Sequence, residues 1–134
     1  ELGLTAANLN APDQVVAAGT TAQLDALQSA PPPQRCVVAL RVAGAFHSEH
    51  MRPAQERFAR AVAAVRPREP SGTLLSSADG AVVTSGAEVL DRLVHQVCAP
   101  VRWDLTACHL ATLVRQVVEA APRGSCPACS GAAT

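Results

Sequence analysis

The sequence predicts an α/β fold, on three observations. Two β-prone runs flank a turn-rich cluster, Asn8-Leu9-Asn10-Ala11-Pro12-Asp13. A continuous apolar run, Cys36-Val37-Val38-Ala39-Leu40, leads into Gly44-Ala45-Phe46-His47 and then a segment of helical period. A capping box, Ser85-Gly86-Ala87-Glu88, opens a second such segment. Strands alternating with helices in one chain are the pattern of that class.

Residues 4 to 8 and 14 to 18 read as short strands, with Gly19 closing the second. Thr21 to Ser29 carries Ala22, Leu24 and Leu27 at helical spacing and ends at Pro31-Pro32-Pro33, a rigid spacer. Cys36 to Leu40 has the length and two-sided apolarity of a buried strand. From Met51 the period changes: Met51, Ala54, Phe58, Ala61, Val62 and Val65 share one helix face, while Arg52, Glu56, Arg57 and Arg60 take the other. Pro53 suits the first turn, and Pro67 and Pro70 stop the helix. Thr73 to Ser77 reads as a strand before the Ala78-Asp79-Gly80 turn. In the capping box the Ser85 hydroxyl and Glu88 carboxylate each satisfy an orphan N–H, and Val89, Leu90, Leu93, Val94 and Val97 form the buried face up to Pro100. A third helix starts near Trp103, with Ala107, Leu110, Leu113 and Val114 in register. After Glu119 the pattern dissolves, and residues 121–134 read as a poorly ordered tail.

The bulk properties exclude several function classes. The 134 residues are one domain's worth of chain, 49% hydrophobic, with 11 basic residues (all Arg) balanced by 11 acidic ones. No long-range field favours nucleic acid or an anionic membrane, and one Trp, two Phe and no Tyr leave no stacking platform. No apolar run spans a bilayer and no signal peptide opens the chain, so the expected compartment is the cytoplasm. The absence of Lys and the abundance of Ala, Val, Arg and Pro fit a GC-rich coding sequence. Five cysteines, at 36, 98, 108, 126 and 129, are an odd number without disulfide-like spacing and read as reduced thiols. A first residue of Glu1 rather than Met points to a fragment.

His47 is the leading candidate for chemistry. A histidine at a strand end is held by rigid backbone, faces the crevice where open α/β sheets bind ligands, and exchanges a proton near neutral pH. His50, His95 and His109 read as solvated. By themselves Gln96 is a helix-end residue and Asn8 and Asn10 are turn residues.

Three patches, in order, resemble the malonyl-CoA:acyl-carrier-protein transacylase family, which is related to the acyltransferase domains of polyketide and fatty acid synthases. Asn8 to Gly19 is similar to its N-x-N-x-P-x-Q-V-V-x-x-G. Gly44-Ala45-Phe46-His47-Ser48 with Met51 and Pro53 is similar to G-A-F-H-[ST]-x-x-M-x-P. Leu93 to Trp103 is similar to L-V-x-Q-[VL]-x-x-P-V-x-W. The resemblance implies the latter part of a ferredoxin-like small lobe over residues 1–40 and the C-terminal part of an α/β-hydrolase-like lobe over residues 41–120. It implies ping-pong malonyl transfer from malonyl-CoA, through a serine, to the phosphopantetheine thiol of acyl carrier protein, with no further cofactor and no metal. His47 is then the base, oriented by the main-chain carbonyl of Gln96. Carbonyls in a helix's last turn lack intrahelical partners, which makes that role physically sensible. Asn8 and Asn10 match asparagines beside the family's active site. Phe46 matches a position associated with malonyl rather than bulkier acyl groups.

The chain also departs from the family. The serine belongs to a G-H-S-x-G-E elbow, and no G-x-S-x-G occurs here. Ser48 is no substitute, because neighbours on extended backbone point to opposite faces. The arginine that pairs with the malonyl carboxylate and the oxyanion loop belong to the family's N-terminal half, so the chain reads as a C-terminal half that is inactive alone. Beyond Leu113 the family pattern is lost, and a frameshift near residue 122 is the expectation. Cys126-Pro127-Ala128-Cys129 has redox or zinc spacing but lacks the following helix or further ligands, and reads as part of that tail. Arg52, Arg57, Arg60, Arg66 and Arg68 suit an acidic carrier surface or a solvated helix face equally. The non-enzyme alternative is a carrier-binding or structural remnant, and a small redox or zinc protein is a third class.

Overall fold

The computed structural model describes residues 2–116 and Val118, and they form a mixed α/β arrangement. β1 (Thr5–Ala11) and β2 (Gln14–Ala18) make an antiparallel hairpin closed at Pro12-Asp13, where Ala11 faces Gln14. β1 is longer than the sequence predicts, because the register shifts between Ala6 and Asn8 and between Leu9 and Ala11 keep the asparagine-rich segment in the ladder. α1 (Thr21–Ser29) follows at its expected bounds. It opens on a capping box absent from the sequence reading: the Thr20 hydroxyl accepts from Gln23 N–H at 3.3 Å, and Gln23 Oε1 accepts from Thr20 N–H at 2.8 Å.

The apolar run Cys36–Leu40 is not a strand. It is irregular and outward-facing, with Val38 72% exposed. A run apolar on both faces needs partners on both sides, and none of the described strands pairs with it. Phe58 and Val65 of the next helix's predicted buried face are likewise exposed.

A single 3-10 turn, Glu49–Met51, precedes α2 (Arg52–Val62), with Pro53 in its first turn. β3 (Leu74–Leu75) pairs antiparallel with β4 (Val82–Val83). α3 (Gly86–Gln96) packs against α2. Only half of its expected capping box forms: Ser85 Oγ accepts from Glu88 N–H at 3.5 Å, while the Glu88 carboxylate accepts from Arg92 Nε at 2.7 Å. β5 (Val101–Arg102), too short for a sequence signal, adds parallel to β1 and leads into α4 (Trp103–Leu113), giving the sheet order β2-β1-β5.

The β3–β4 turn is held from two helices. From α3, Arg92 Nη1 donates to Asp79 Oδ2 at 2.9 Å and to Ser76 Oγ at 3.0 Å. From α4, His109 Nδ1 donates to Gly80 O at 2.6 Å, and the Thr106 hydroxyl, 3.0 Å from Arg102 O, also lies 3.3 Å from Ser76 O. His109 is therefore a half-buried clamp, not a solvated residue.

Arg92→Gln is expected to lower the melting temperature at neutral pH, by an amount that shrinks in acid. The hydrogen bond from Arg92, aided by Ala81 N–H, holds the Asp79 carboxyl below its ordinary value. A depressed folded-state pKa stabilises the fold above the unfolded carboxyl's value, about 3.9, and that contribution is lost as pH falls through the folded value. Thermal melts of both proteins across the acid range check this. A gap unchanged by pH would show that the Asp79 pair is not its source.

Among the described residues the apolar core is small: Ala7, Ala18, Val83 and Cys98 are buried, whereas Leu40, Val42, Leu93 and Trp103 are exposed. No described helix is long and apolar enough to cross a membrane. Cys36, Cys98 and Cys108 are free thiols. The expectations for residues 121–134, including Cys126 and Cys129, lie outside the described residues.

Candidate active site

His47 lies in a turn between the irregular segment and the 3-10 turn, not at a strand end. Its backbone is left-handed, φ +61°, a region that disfavours most side chains but in which histidine is among the enriched types. The carboxyl end of α3 grips this turn twice. His47 N–H donates to Val97 O at 3.1 Å, and the ring Nδ1 donates to Gln96 O at 2.8 Å. Both carbonyls belong to the end of the helix, where intrahelical donors run out.

The second contact sets the chemistry of the ring. A carbonyl oxygen only accepts, so Nδ1 carries the hydrogen, and a neutral imidazole then has its lone pair on Nε2. Nε2 has no hydrogen-bond partner among the described residues. The ring is thus half-buried, fixed at one nitrogen and basic at the other.

The neighbouring residues hold the turn. Ser48 is 1% exposed, and its hydroxyl donates to Ala45 O at 2.5 Å. That commitment, together with burial, removes Ser48 as a nucleophile; the extended-backbone argument does not apply, because His47 is not extended. Gly44 sits where a Cβ would lie 3.6 Å from Met51 Sδ and 3.9 Å from the Phe46 ring. Phe46 itself is exposed.

Gln96 contributes its side chain as well as its carbonyl. Its Oε1 accepts from Ser77 Oγ at 3.0 Å, and its Nε2 donates to Ala99 O at 2.9 Å and Pro100 O at 3.1 Å. The helix end, the second residue after β3 and the approach to β5 are joined through this one amide. Ser77 escaped the sequence reading because a contact between positions 77 and 96 leaves no local pattern.

Asn8 and Asn10 lie on β1, half-buried, and Asn8 pairs with Val101 across the parallel ladder. Among the described residues no side-chain hydrogen bond joins either asparagine to His47, Gln96 or Phe46. The geometry therefore brings His47 and Gln96 into contact, with Phe46 next to His47 in the chain and neither asparagine hydrogen-bonded to the pair. No group of three or more His, Cys, Asp or Glu among the described residues could hold a metal ion.

Known proteins resemble the chain as a whole. No family model matches the chain. The malonyl CoA-acyl carrier protein transacylase of Mycobacterium tuberculosis is 48% identical over 126 residues, covering 93% of this chain and 42% of the relative. The crystal structure of MCAT from the same organism superposes with a TM-score of 0.80 at 49% identity, covering 83% of this chain and 37% of that one. A solved type II polyketide-synthase acyl-carrier protein in complex with its malonyl-transacylase matches at TM-score 0.71 and 26% identity, over 82% of this chain and 36% of that one. The chain thus spans well under half the length of the relatives it matches.

Proposed function

We propose that this chain, a part-length member of the malonyl-CoA:acyl-carrier-protein transacylase family, supplies the general base of an S-malonyltransferase. The observation that carries the reading is the 2.8 Å contact from His47 Nδ1 to the Gln96 carbonyl, which leaves Nε2 as the basic nitrogen.

The nucleophile is a serine in the part of the relatives that the chain does not span. Nε2 of His47 takes the serine proton as Oγ attacks the thioester carbonyl of malonyl-CoA. Collapse of the tetrahedral adduct breaks the C–S bond, and Nε2 returns the proton to the departing CoA thiolate. The malonyl-enzyme then meets the carrier-protein thiol. Nε2 removes that thiol's proton, the sulfur attacks the ester, and the proton goes back to serine Oγ. The Gln96 carbonyl stays on Nδ1–H throughout, so the ring never reorients. Asn8, Asn10 and Phe46 line the acyl site in this reading.

The partners are malonyl-CoA and an acyl carrier protein, in fatty acid or polyketide synthesis, and the compartment is cytoplasmic. Residues 1–40 belong to a ferredoxin-like lobe and residues 41–120 to a hydrolase-like lobe. The outward-facing Val38, Leu40, Val42 and Trp103 support a further stretch of protein against them, since soluble monomers rarely leave such surface open.

The chain alone is expected to show no malonyl transfer. Fused behind the portion of the Mycobacterium tuberculosis relative that it does not match, it is expected to regain transfer from malonyl-CoA to holo acyl carrier protein. Turnover by the chain alone, or a folded fusion with none, overturns the reading; the second outcome favours the non-catalytic remnant.

A further inference from the structure

We propose that Gln55 is a positioning residue for His47, acting through the carboxyl end of α3. The inference rests on His47 being the general base. Gln55 lies on α2 within the stripe of Met51 and Val62, yet it is polar and 8% exposed. A buried amide in an apolar stripe needs partners, and both of its ends have them.

The last carbonyls of α3 are divided among a few donors. Gln96 O and Val97 O take His47, and His95 O takes Cys98 N–H at 3.1 Å and Ala99 N–H at 3.0 Å. Val94 O receives only a long contact from Val97 N–H, 3.4 Å, and its short bond comes from Gln55 Nε2 at 3.0 Å. The same Nε2 lies 3.5 Å from His95 O. One α2 side chain therefore fixes the carbonyls immediately before the one that holds the imidazole.

The other end of the amide leads back toward His47. Gln55 Oε1 accepts from Arg52 Nη1 at 3.1 Å, and Arg52 is paired with Glu49, two residues after His47. The segment that begins at His47 is thus tied to α3 at two points, by the histidine itself and, near the start of α2, by Gln55. Without the second tie, the last turn of α3 has a part-buried carbonyl short of a donor and is free to turn Gln96 O away from Nδ1–H.

Two substitutions separate the donor from the acceptor. Gln55→Met keeps the length and removes both functions. Gln55→Glu keeps the oxygen that faces Arg52 but has no N–H for Val94 O. The readout is the long-range nitrogen–proton spectrum of the imidazoles in the 134-residue chain, which reports tautomer and ring N–H exchange. His109, bonded through Nδ1 to Gly80 O, is the internal control.

Wild-type His47 is expected as the Nδ1–H tautomer with slow exchange. Both variants are expected to show a mixed tautomer at His47 and exchange faster by about ten-fold, the effect of one hydrogen bond, with His109 unchanged. An unchanged His47 in both variants overturns the proposal. So does an effect in Gln55→Met alone, which would assign the role to the Arg52 end, or the joint loss of His47 and His109 signals, which would make Gln55 general scaffold. A wild-type chain without the Nδ1–H form overturns the reading of His47 itself, a different result from failure at Gln55.

Discussion

His47→Asn in the fused, full-length enzyme is expected to lower kcat/KM for malonyl transfer by about a thousand-fold, the range typical of a lost general base. Asparagine is the informative substitution. His47 sits at φ +61°, where asparagine is tolerated and alanine is strained, so Asn removes the basic nitrogen without forcing the turn. His47→Ala removes the base and strains the backbone together. If the two variants lose activity equally and both remain folded, the loss belongs to Nε2. If His47→Asn retains most of the activity, the base lies elsewhere and the Gln96 contact is structural. The step affected is also diagnostic: formation of the malonyl-enzyme in a single turnover slows with the transfer to carrier protein, because the same nitrogen handles the proton in both halves.

The pairing of His47 with Gln96 was legible because each lies in its own sequence patch, and because a helix-end carbonyl is one of the few main-chain groups available to an imidazole N–H. The backbone of the turn was not. The run from Cys36 to Leu40 looks like a strand leading to His47, but a strand exists only with its neighbours, and the described residues supply none. β5 is two residues long, shorter than any periodicity, and exists because Val101 and Arg102 fall beside Asn8 and Leu9.

The clamp at His109 and the amide of Ser77–Gln96 join residues 29 and 19 positions apart, so no local window contains them. Gln55 differs from these. Its place among apolar neighbours on α2 is visible in the sequence, and a polar residue in such a stripe is a signal that a buried partner waits for it. What the sequence lacks is the identity of that partner, Val94 O, which depends on how α2 lies across α3.

Gly86→Ala is expected to destabilise the fold by about 2 to 3 kcal/mol, the scale of overpacking against atoms that cannot move aside. A Cβ at Gly86 would stand 2.5 Å from Arg68 O and 2.9 Å from Arg68 C, both backbone, and 3.1 Å from Pro67 Cβ. The residue is buried at the first position of α3, and its N–H donates to Glu69 Oε2 at 2.8 Å. Relief therefore requires either the 67–69 segment to shift, which breaks the Glu69 bond, or the start of α3 to move. Moving α3 carries its far end with it, because a helix is rigid along its length, and that end holds His47. Gly72→Ala is the matched control. Nothing lies within 4 Å of its added Cβ, so it should change stability by no more than about 0.5 kcal/mol. Urea titrations of the fused enzyme compare the two, with a lower midpoint at unchanged slope expected for Gly86→Ala. Equal midpoints would mean that the approach of Arg68 to α3 is soft, and that the helix carrying the Gln96 carbonyl is not anchored at its start.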